Sequence, residues 1–322
     1  MTTHADVAGA GSSAELIPPR FVVSNPSLRF WQRATWRRRV VPWLFVLPIL
    51  LINVAVVFGP AVASVYYSMT EWSGIGSAKW IGLDNFRRLA SDDSFHRAFR
   101  NNLIWLAMFL TIPVAMGLIA ASLLMAIRRG AMFYRLALFL PYVFPSVIVA
   151  SIWRSLLNPD RGIGATLADW GIGGFDRAFL GDTDTVLPTI AFVDNWHFWG
   201  FLMLLFLASM QNIPADLYEA ARLDGANRWQ EFRDITIPGI RPTLVFMILM
   251  TSIWSFLTFD YIWVLTQGGP AGASEVLSVL VFKAAFTQLD AGYASAMGLT
   301  MSLLAGLIIG IFIVLRKRGW EI

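Results

Sequence analysis

Long apolar runs alternate with polar segments along this chain. Six of the runs approach the roughly 20 residues that a helix needs to cross a bilayer. They lie at about Val41–Ser68, Leu103–Ile127, Leu136–Leu157, Leu187–Met210, Pro242–Leu265 and Ala294–Leu315. The pattern therefore predicts six transmembrane helices. Prolines such as Pro113, Pro141 and Pro145 fall inside the spans, where neighbouring helices can re-satisfy the backbone groups freed at a kink.

The composition also predicts an integral membrane protein. Hydrophobic residues make up 57% of the chain and charged residues 14%, whereas a soluble domain has about 25% charged residues. Mean hydropathy is +0.60 and the pI is near 9.6. We attribute this basic balance to arginines facing anionic lipid, and expect no nucleic-acid partner. The chain has no cysteine, which excludes disulfides, thiolate metal sites and a cysteine nucleophile.

The same pattern divides the chain into three parts. Residues 1–40 are predicted to form a cytoplasmic arm, in which Met1–Pro19 is small, polar and disordered. Phe30–Arg39 mixes aromatics with arginines, as in an arm lying on the inner headgroup surface. The arm has no apolar run long enough for a signal-peptide core. Residues 41–318 form the predicted transmembrane domain, and residues 319–322 a short tail.

Basic clusters determine the predicted orientation. They precede the first span, separate the second from the third and follow the sixth: Arg37, Arg38, Arg39, Arg128, Arg129, Arg135, Arg316, Lys317 and Arg318. The positive-inside rule assigns all three clusters to the cytoplasm. The segment Glu71–Asn101 argues weakly against this, because it would lie outside and carries several basic residues. Three clusters against one predict that both termini are cytoplasmic.

A polar, helix-prone segment at Glu219–Pro238 interrupts the apolar pattern between the fourth and fifth spans. Pro214 suits the first turn of a helix, and Gly225 suits the left-handed position just after its end. Asn227 is predicted to cap a second short helix, with Gln230 in capping-box spacing. The proline that closes the segment is predicted to end this second helix. The segment thus reads as two short helices joined by a tight bend.

Docking of a soluble partner is one interpretation of this segment. Small side chains at Ala220 and Ala221 would let another protein approach the backbone closely, and Glu219 offers a carboxylate to a partner arginine. The alternative is an ordinary amphipathic linker between two spans. The predicted orientation places the segment in the cytoplasm, where a soluble partner is available.

Several motifs carry a family resemblance. The segment reads EAARLDGA at Glu219–Ala226 and ITIP at Ile235–Pro238. This order is similar to the EAA loop of the transmembrane subunits of binding-protein-dependent ABC importers. Further motifs resemble the carbohydrate-uptake branch, which includes maltose-type and glycerol-3-phosphate-type permeases: WIGLDNF at Trp80–Phe86, FLP at Phe139–Pro141, LTQGGP at Leu265–Pro270 and GYASA at Gly292–Ala296. The resemblance covers roughly Val41–Arg318, and Ile237 is a conservative departure from the leucine common before that proline.

The resemblance implies an all-α type I ABC importer permease with six transmembrane helices in a bacterial or archaeal cytoplasmic membrane. It implies a cytoplasmic coupling loop at residues 212–242, with ATPase-coupling residues Glu219, Ala220, Ala221, Asp224, Gly225 and Pro238. The implied partners are a second permease subunit, two ATPase subunits that bind ATP and Mg, and an extracytoplasmic solute-binding protein. The chain has no GxxxxGK[ST] phosphate loop, since GGPAGAS at Gly268–Ser274 lacks the lysine. We therefore expect no cofactor in this chain.

Polar and aromatic residues inside the fourth and fifth spans are the candidates for a cargo path. An ionisable group is costly within a membrane unless it lines a wet cavity, and a sugar needs both aromatic faces and hydrogen-bonding groups. The candidates are Asp194, Asn195, Trp196, His197, Phe198, Phe201, Thr251 and Ser255. Simpler interpretations stay open, in which Asp260 is interfacial, His197 is a packed residue, and Trp254 and Phe259 are packing bulk.

The predicted function is the transmembrane subunit of an ATP-driven sugar importer, without catalytic activity of its own. There is no GxSxG elbow, and His4, His96 and His197 lack metal-ligand spacing. The favoured cargo is an oligosaccharide or disaccharide, then a polyol, then glycerol-3-phosphate. Lys and Arg are missing from the middle of spans four and five, which favours a neutral solute. The rivals are an ion-gradient-driven secondary transporter, which should show inverted repeats, and a membrane scaffold.

Overall fold

The computed structural model describes residues 41–127, 129–175 and 177–317. The predicted arm at residues 1–40, the tail at residues 319–322, and Arg128 and Arg318 lie outside the described residues. The chain divides into two units between Pro60 and Ala61. The described part of the first unit is helical, with exposed apolar side chains. The bundle described below belongs to the second unit.

Helices account for most of the described chain. In order, the elements begin with α1 (Val41–Tyr67), β1 (Thr70–Glu71), β2 (Lys79–Trp80), α2 (Asp84–Ser91), α3 (Asp93–Ala126), α4 (Ala131–Val143), α5 (Ser146–Leu156) and α6 (Ile163–Asp169). They continue with α7 (Val186–Met210), α8 (Ala215–Leu223), α9 (Arg228–Glu231), α10 (Arg241–Leu257), α11 (Asp260–Leu265), α12 (Leu277–Thr287) and α13 (Ala291–Lys317). The strands pair antiparallel, with Thr70 opposite Trp80.

The predicted transmembrane helices are confirmed. Among the described residues, five helical segments are long and apolar enough to cross a membrane, and the bent pair α4–α5 makes a sixth if it counts as one span. The second span starts earlier than predicted, because its helix begins at Asp93, ten residues before Leu103. Asp92 caps that helix by accepting a hydrogen bond from the backbone N–H of Ser94 at 2.8 Å, which satisfies a donor that a helix start leaves free.

The third and fifth spans are broken. Helices α4 and α5 meet at an angle of 92°, because Pro145 favours an extended backbone at the residue before it and Phe144 has ψ 143°. Pro141, by contrast, stays inside α4. The fifth span breaks between α10 and α11, where Thr258 has ψ 130°. No proline marks this second break, and the sequence pattern did not predict it.

The core lies where α7 packs against α3 and α4. Leu202, Met203 and Phe206 of α7 and Trp105 of α3 are fully buried. Close contact with α4 depends on Gly200, because a Cβ at this position would lie 2.1 Å from the carbonyl oxygen of Leu138. Side-chain bulk is therefore excluded here, and this contact sets the distance between α4 and α7.

At the end of the bundle opposite the coupling loop, side-chain amides fasten the connecting segments to the helices. Asn85 Nδ2 donates to the carbonyls of Ser68 and Thr70 at 3.0 and 2.9 Å. Asn101 Nδ2 donates to the carbonyl of Glu275 at 2.8 Å, in the segment that follows GGPAGAS. Asn102 Nδ2 donates to the carbonyl of Ser255 at 3.0 Å. These bonds fix the register of α3 against α10 and the segment before α12.

We expect Gly200→Ala to destabilise the protein. The added methyl would meet backbone atoms of α4 that cannot move independently, and overpacking of this kind costs about 1–3 kcal/mol. The midpoint of thermal unfolding in detergent, followed by intrinsic tryptophan fluorescence, should fall. Gly306→Ala in α13 is the matched control, because nothing lies within 4 Å of its Cβ position. Equal midpoints for the two variants would contradict the close contact.

Candidate functional site: coupling loop and cargo path

The first helix of the coupling loop ends as the sequence predicts. Helix α8 begins directly after Pro214 and ends at Leu223, with Asp224 as its C-cap. Gly225 has φ +83°, a left-handed conformation that glycine adopts without steric cost. The N–H of Ala226 donates to the carbonyl of Ala221 at 2.9 Å, and the N–H of Gly225 donates to that of Arg222 at 3.1 Å. This pair of bonds is a Schellman motif, which turns the chain sharply toward the second helix.

The predicted capping box of the second helix is confirmed. Asn227 Oδ1 accepts hydrogen bonds from the N–H groups of Trp229 and Gln230, both at 3.0 Å. Gln230 Oε1 accepts in return from the N–H of Asn227 at 2.8 Å. Two backbone donors are thus satisfied reciprocally, and the start of α9 is fixed.

The prediction that Pro238 ends this helix is wrong. Helix α9 continues through a wide π-helical turn at Phe232–Thr236 into a short helix at Ile237–Gly239 that contains Pro238. The N–H of Ile237 donates to the carbonyl of Phe232, five residues back. Pro238 follows as the second residue of a new helical turn, where its missing N–H is tolerated. The helical path therefore ends at Ile240, and α10 begins at Arg241.

An ion pair between the exposed Arg222 and the buried Glu231 joins the two helices of the coupling loop. Arg222 Nε donates to Glu231 Oε1 at 2.7 Å, and Arg222 Nη2 donates to Glu231 Oε2 at 3.3 Å. The Glu231 side chain is only 8% exposed, and the hydrogen bond from Arg222 holds the pKa of its carboxyl below the usual range. A second link is the 3.0 Å contact of the Tyr218 hydroxyl with Thr236 Oγ1. Sequence reasoning missed these four residues, since their pairing depends on how tightly the chain folds back.

The outer surface of the coupling loop is open. Of the predicted coupling residues, Glu219, Ala220, Asp224, Gly225 and Pro238 are exposed and Ala221 is half-buried. Leu223 and Trp229 are also exposed, by 89% and 66%. On the inner side, a cleft of about 720 Å³ separates the two short helices from the ends of α3 and α7. The loop thus exposes both apolar and charged side chains, and the exposed Glu219 also lines this cleft.

The predicted cargo-path segment of α7 lies beside both broken spans. His197 Nε2 is 3.0 Å from the carbonyl oxygen of Phe144, at the break between α4 and α5. Asp260 begins α11, just after the break in span five, and Ser146 Oγ donates to its Oδ2 at 2.5 Å. Two interrupted helices and the middle of α7 therefore meet in one region.

Aromatic rings from four helices form a continuous cluster in this region. Tyr142 stacks on Phe201, with centroids 4.7 Å apart and planes 16° apart. Phe198 meets Trp254 edge to face at 5.6 Å. The ring of His197 lies 5.3 Å from Tyr142 and 5.9 Å from Tyr261. The aromatic cluster, as we call it, comprises Tyr142, His197, Phe198, Phe201, Trp254 and Tyr261. Ring faces with polar edges can stack on the C–H face of a sugar and bond its hydroxyls.

The eight cargo-path candidates separate into two groups. Asp194, His197, Phe198 and Phe201 lie on or beside the aromatic cluster. Of the others, Trp196 contacts Trp153 of α5, and Asn195, Thr251 and Ser255 are buried. Among the described residues, the side-chain polar atoms of Asn195 and Thr251 have no hydrogen-bond partner. Ser255 Oγ donates within its own helix, to the carbonyl of Ser252.

Sequence reasoning missed Tyr142 as a member of the site and favoured helix packing over a cargo contact for Trp254. The available signal for Tyr142 was its position two residues before the Phe144–Pro145 step, where a break in the span brings a side chain toward its neighbours. In the described part of the chain, no three His, Asp or Glu side chains are grouped so that they could hold a metal ion.

We expect Arg222→Gln to loosen the coupling loop, because it leaves the buried Glu231 carboxylate without its charged donor. Amide hydrogen exchange across residues 215–240 should become roughly three- to tenfold faster than in the native chain. Arg233→Gln is the matched control, since its partner Asp234 is adjacent and both side chains are largely exposed.

The folded-state pKa of Glu231 is lowered, so the stabilising contribution of its ion pair with Arg222 is complete at neutral pH. This contribution disappears as the pH falls through that lowered value. Equal protection of the amides from exchange in the Arg222→Gln and Arg233→Gln variants would contradict the proposed role of the Arg222–Glu231 pair.

Comparison with known proteins finds similar sequences that cover most of the chain. Residues 113–318 match the family described as binding-protein-dependent transport system inner membrane component. The probable ABC transporter permease protein YurN of Bacillus subtilis is 36% identical over 81% of this chain and 90% of its own length. The diacetylchitobiose uptake system permease protein NgcF of Streptomyces coelicolor is 33% identical over 85% of this chain and 80% of its own length.

A solved structure shares the fold. It is the bacterial alginate ABC transporter in complex with alginate pentasaccharide-bound periplasmic protein, and one of its chains has a TM-score of 0.78 at 23% identity. The likeness covers 90% of this chain and 98% of that chain, which confirms the predicted type I importer permease fold. The family match spans more than half of the sequence. This chain therefore belongs to the family of binding-protein-dependent transport system inner membrane components.

Proposed function

We propose that this chain forms half of the translocation pathway of an ATP-driven sugar importer. It couples that pathway to a separate ATPase through the coupling loop. The observation that carries the proposal is the geometry of the loop. Two short helices, cross-linked by Arg222 and Glu231, present Glu219 and the Gly225 bend on an exposed face. A stiff protrusion of this kind can transmit a push from a docked protein.

We assign ATP hydrolysis to a partner subunit, because the sequence of this chain has no GxxxxGK[ST] phosphate loop. The glycine-rich segment Gly268–Ser274 has no lysine. It is held against α3 by Asn101, which donates to the carbonyl of Ala273 at 3.1 Å. ATP and Mg would therefore be bound by two ATPase subunits, and this chain would be a non-catalytic permease subunit without a cofactor.

The proposed orientation places the coupling loop in the cytoplasm. Arg129 and Arg135 follow α3, whose last turns line the cleft beside the coupling loop. Basic residues therefore collect at the coupling-loop end, in agreement with the positive-inside rule. Both termini would be cytoplasmic, and the segments that carry α2 and α12 would face an extracytoplasmic solute-binding protein. A second, similar permease subunit would complete the pathway.

Sugar is the proposed cargo. The aromatic cluster supplies ring faces, and Asp194, His197 and Ser146 supply polar groups beside it. The name of the Streptomyces relative, a diacetylchitobiose uptake permease, agrees with a disaccharide. Polyol and glycerol-3-phosphate remain the other cargo classes. An ion-gradient-driven secondary transporter is disfavoured, because the family is defined by dependence on a binding protein.

We expect the double change Glu219→Lys and Gly225→Pro to release the ATPase. The first reverses a charge on the docking face. The second cannot be accommodated at φ +83°, since proline requires a φ near −65°. The affinity-purified permease complex should lose its ATPase band and its hydrolysis stimulated by binding protein. An intact, active complex would overturn the docking role.

Gly171→Pro provides the matched control for this experiment. Gly171 also has a left-handed backbone, at φ +82°, and lies in the connection between α6 and α7. Its N–H donates to the carbonyl of Ala168 at 2.9 Å, as the N–H of Gly225 does to Arg222. Gly171→Pro and Gly225→Pro thus disturb the same kind of backbone conformation and remove the same kind of hydrogen bond, in different connections of the chain. Only the coupling-loop variant should lose the ATPase.

A further inference from the structure

The region where the broken spans meet α7 is rich in hydrogen-bond acceptors and negative charge, and the proposed function does not depend on this property. Interrupted helices within a membrane frequently mark solute sites, since their free backbone groups and short side chains line a cavity. Here the breaks after Phe144 and Thr258 both adjoin this part of α7. Whatever passes this region meets the side chains that surround the two breaks.

Two carboxylates lie beside these breaks. Asp194 on α7 is half-buried, and Asp260 at the start of α11 is exposed. The two interact electrostatically with each other and with Tyr261. Carboxylates that are not fully covered within spanning segments must face a wet space, because lipid cannot solvate them. Ser146 donates one hydrogen bond to Asp260, which leaves most of the acceptor positions of the pair available.

An unpartnered donor lies next to the carboxylates. The side chain of Tyr261 is 5% exposed, and among the described residues its hydroxyl has no hydrogen-bond partner. Buried hydroxyls are nearly always paired, so an unpaired one beside a polar cluster indicates a ligand or an ordered water. The ring of Tyr261 packs near His197 of the aromatic cluster. Its hydroxyl is thus in place to bond a molecule held between the rings and the carboxylates.

No cation neutralises the pair within the described residues. None of the salt bridges there includes Asp194 or Asp260. Arg154 of α5 contacts the carbonyl of Val264 at 3.4 Å, and lies eight residues beyond Ser146, or about 12 Å along the helix. A solute at the breaks therefore meets acceptors and negative charge, with one tyrosine donor.

We propose that Asp194, Asp260 and Tyr261 form a charge-selective subsite that accepts neutral and amino sugars and excludes anionic sugars. Sugar hydroxyls and ammonium groups donate hydrogen bonds to carboxylates, whereas a uronate or a sugar phosphate places a second negative charge beside them. The aromatic cluster holds the ring in either case, so the discrimination comes from the carboxylates. This inference deepens the proposed function and rests on it, since it assumes that cargo passes this region.

The test measures sugar binding directly, without the binding protein's own selectivity. The purified permease–ATPase complex is titrated with three disaccharides of equal size: maltose, a glucosamine disaccharide and a galacturonic acid disaccharide. Tryptophan fluorescence is the readout, since Trp254 contacts the aromatic cluster. We expect the glucosamine disaccharide to bind at least about tenfold more tightly than the galacturonic acid disaccharide, with maltose between them.

Isosteric variants assign the preference to the carboxylates. Asp194→Asn with Asp260→Asn should reduce the tenfold ratio to about twofold or less. Asp260→Asn alone, at an exposed position, should give an intermediate ratio and serves if the double variant does not fold. Asp160→Asn, an exposed acid between α5 and α6, is the matched control and should keep the native ratio.

Several results would overturn the subsite. These are equal affinity of the native complex for the acidic and amino disaccharides, an unchanged ratio in both Asn variants, or no binding of any of the three sugars. Failure of the proposed function looks different. In that case, liposomes containing the complex and its binding protein would show no ATP-dependent uptake of any sugar, while the binding preference could still be present.

Discussion

The structure depends on one constraint: a helix that breaks inside a membrane must have its freed backbone groups satisfied by other protein groups. At each of the two breaks, a side chain from another helix contacts a backbone carbonyl. The carbonyl of Phe144 contacts His197 Nε2 at 3.0 Å, and the carbonyl of Thr258 accepts a hydrogen bond from Ser278 Oγ. Asn102 similarly accepts from the N–H of Leu277 at 2.8 Å. His197, Ser278 and Asn102 thus satisfy backbone groups at or near the breaks, and the aromatic cluster includes one of these side chains, His197.

The coupling loop is connected to two of the helices that carry the aromatic cluster, α7 and α10. It lies between α7 and α10, and Thr243 Oγ1 donates to Ser209 Oγ at 2.9 Å across their adjoining ends. Ile240, which joins the loop to α10, is fully buried. Within the loop, the Arg222–Glu231 pair stops the two short helices from moving apart. A force on the exposed face would therefore act on both spans, and along α10 it would reach the break at Thr258.

Local features of the sequence predicted the fold well, and features that join distant segments were missed. The capping box at Asn227 and the turn at Gly225 depend on neighbouring residues, so spacing alone was sufficient. The break at Thr258 has no proline or glycine signal and depends on Ser278, twenty residues away. The sequence also led us to assign neighbouring residues of α7 to one cargo path because they are adjacent in the chain. Trp196 and His197 are neighbours in sequence, but side chains one residue apart on a helix point about 100° apart, and Trp196 packs on Trp153 instead.

The exposed apolar surfaces of α1 and α10 differ in whether the span that contains them carries a charged group. Helix α1 is uncharged from Val41 to Tyr67, and its one amide, Asn53, bonds back to the carbonyl of Ile49; lipid alone can cover such a helix. The exposed Trp254 and Leu257 of α10 instead precede the exposed Asp260 by six and three residues in the chain, and lipid cannot solvate the carboxylate of Asp260. A sugar moving along that face would also lose the hydrogen bonds of its hydroxyls to any lipid beside it. Under the proposed function, this face therefore requires a second protein wall, and the cargo site of a single chain is only half of the complete site.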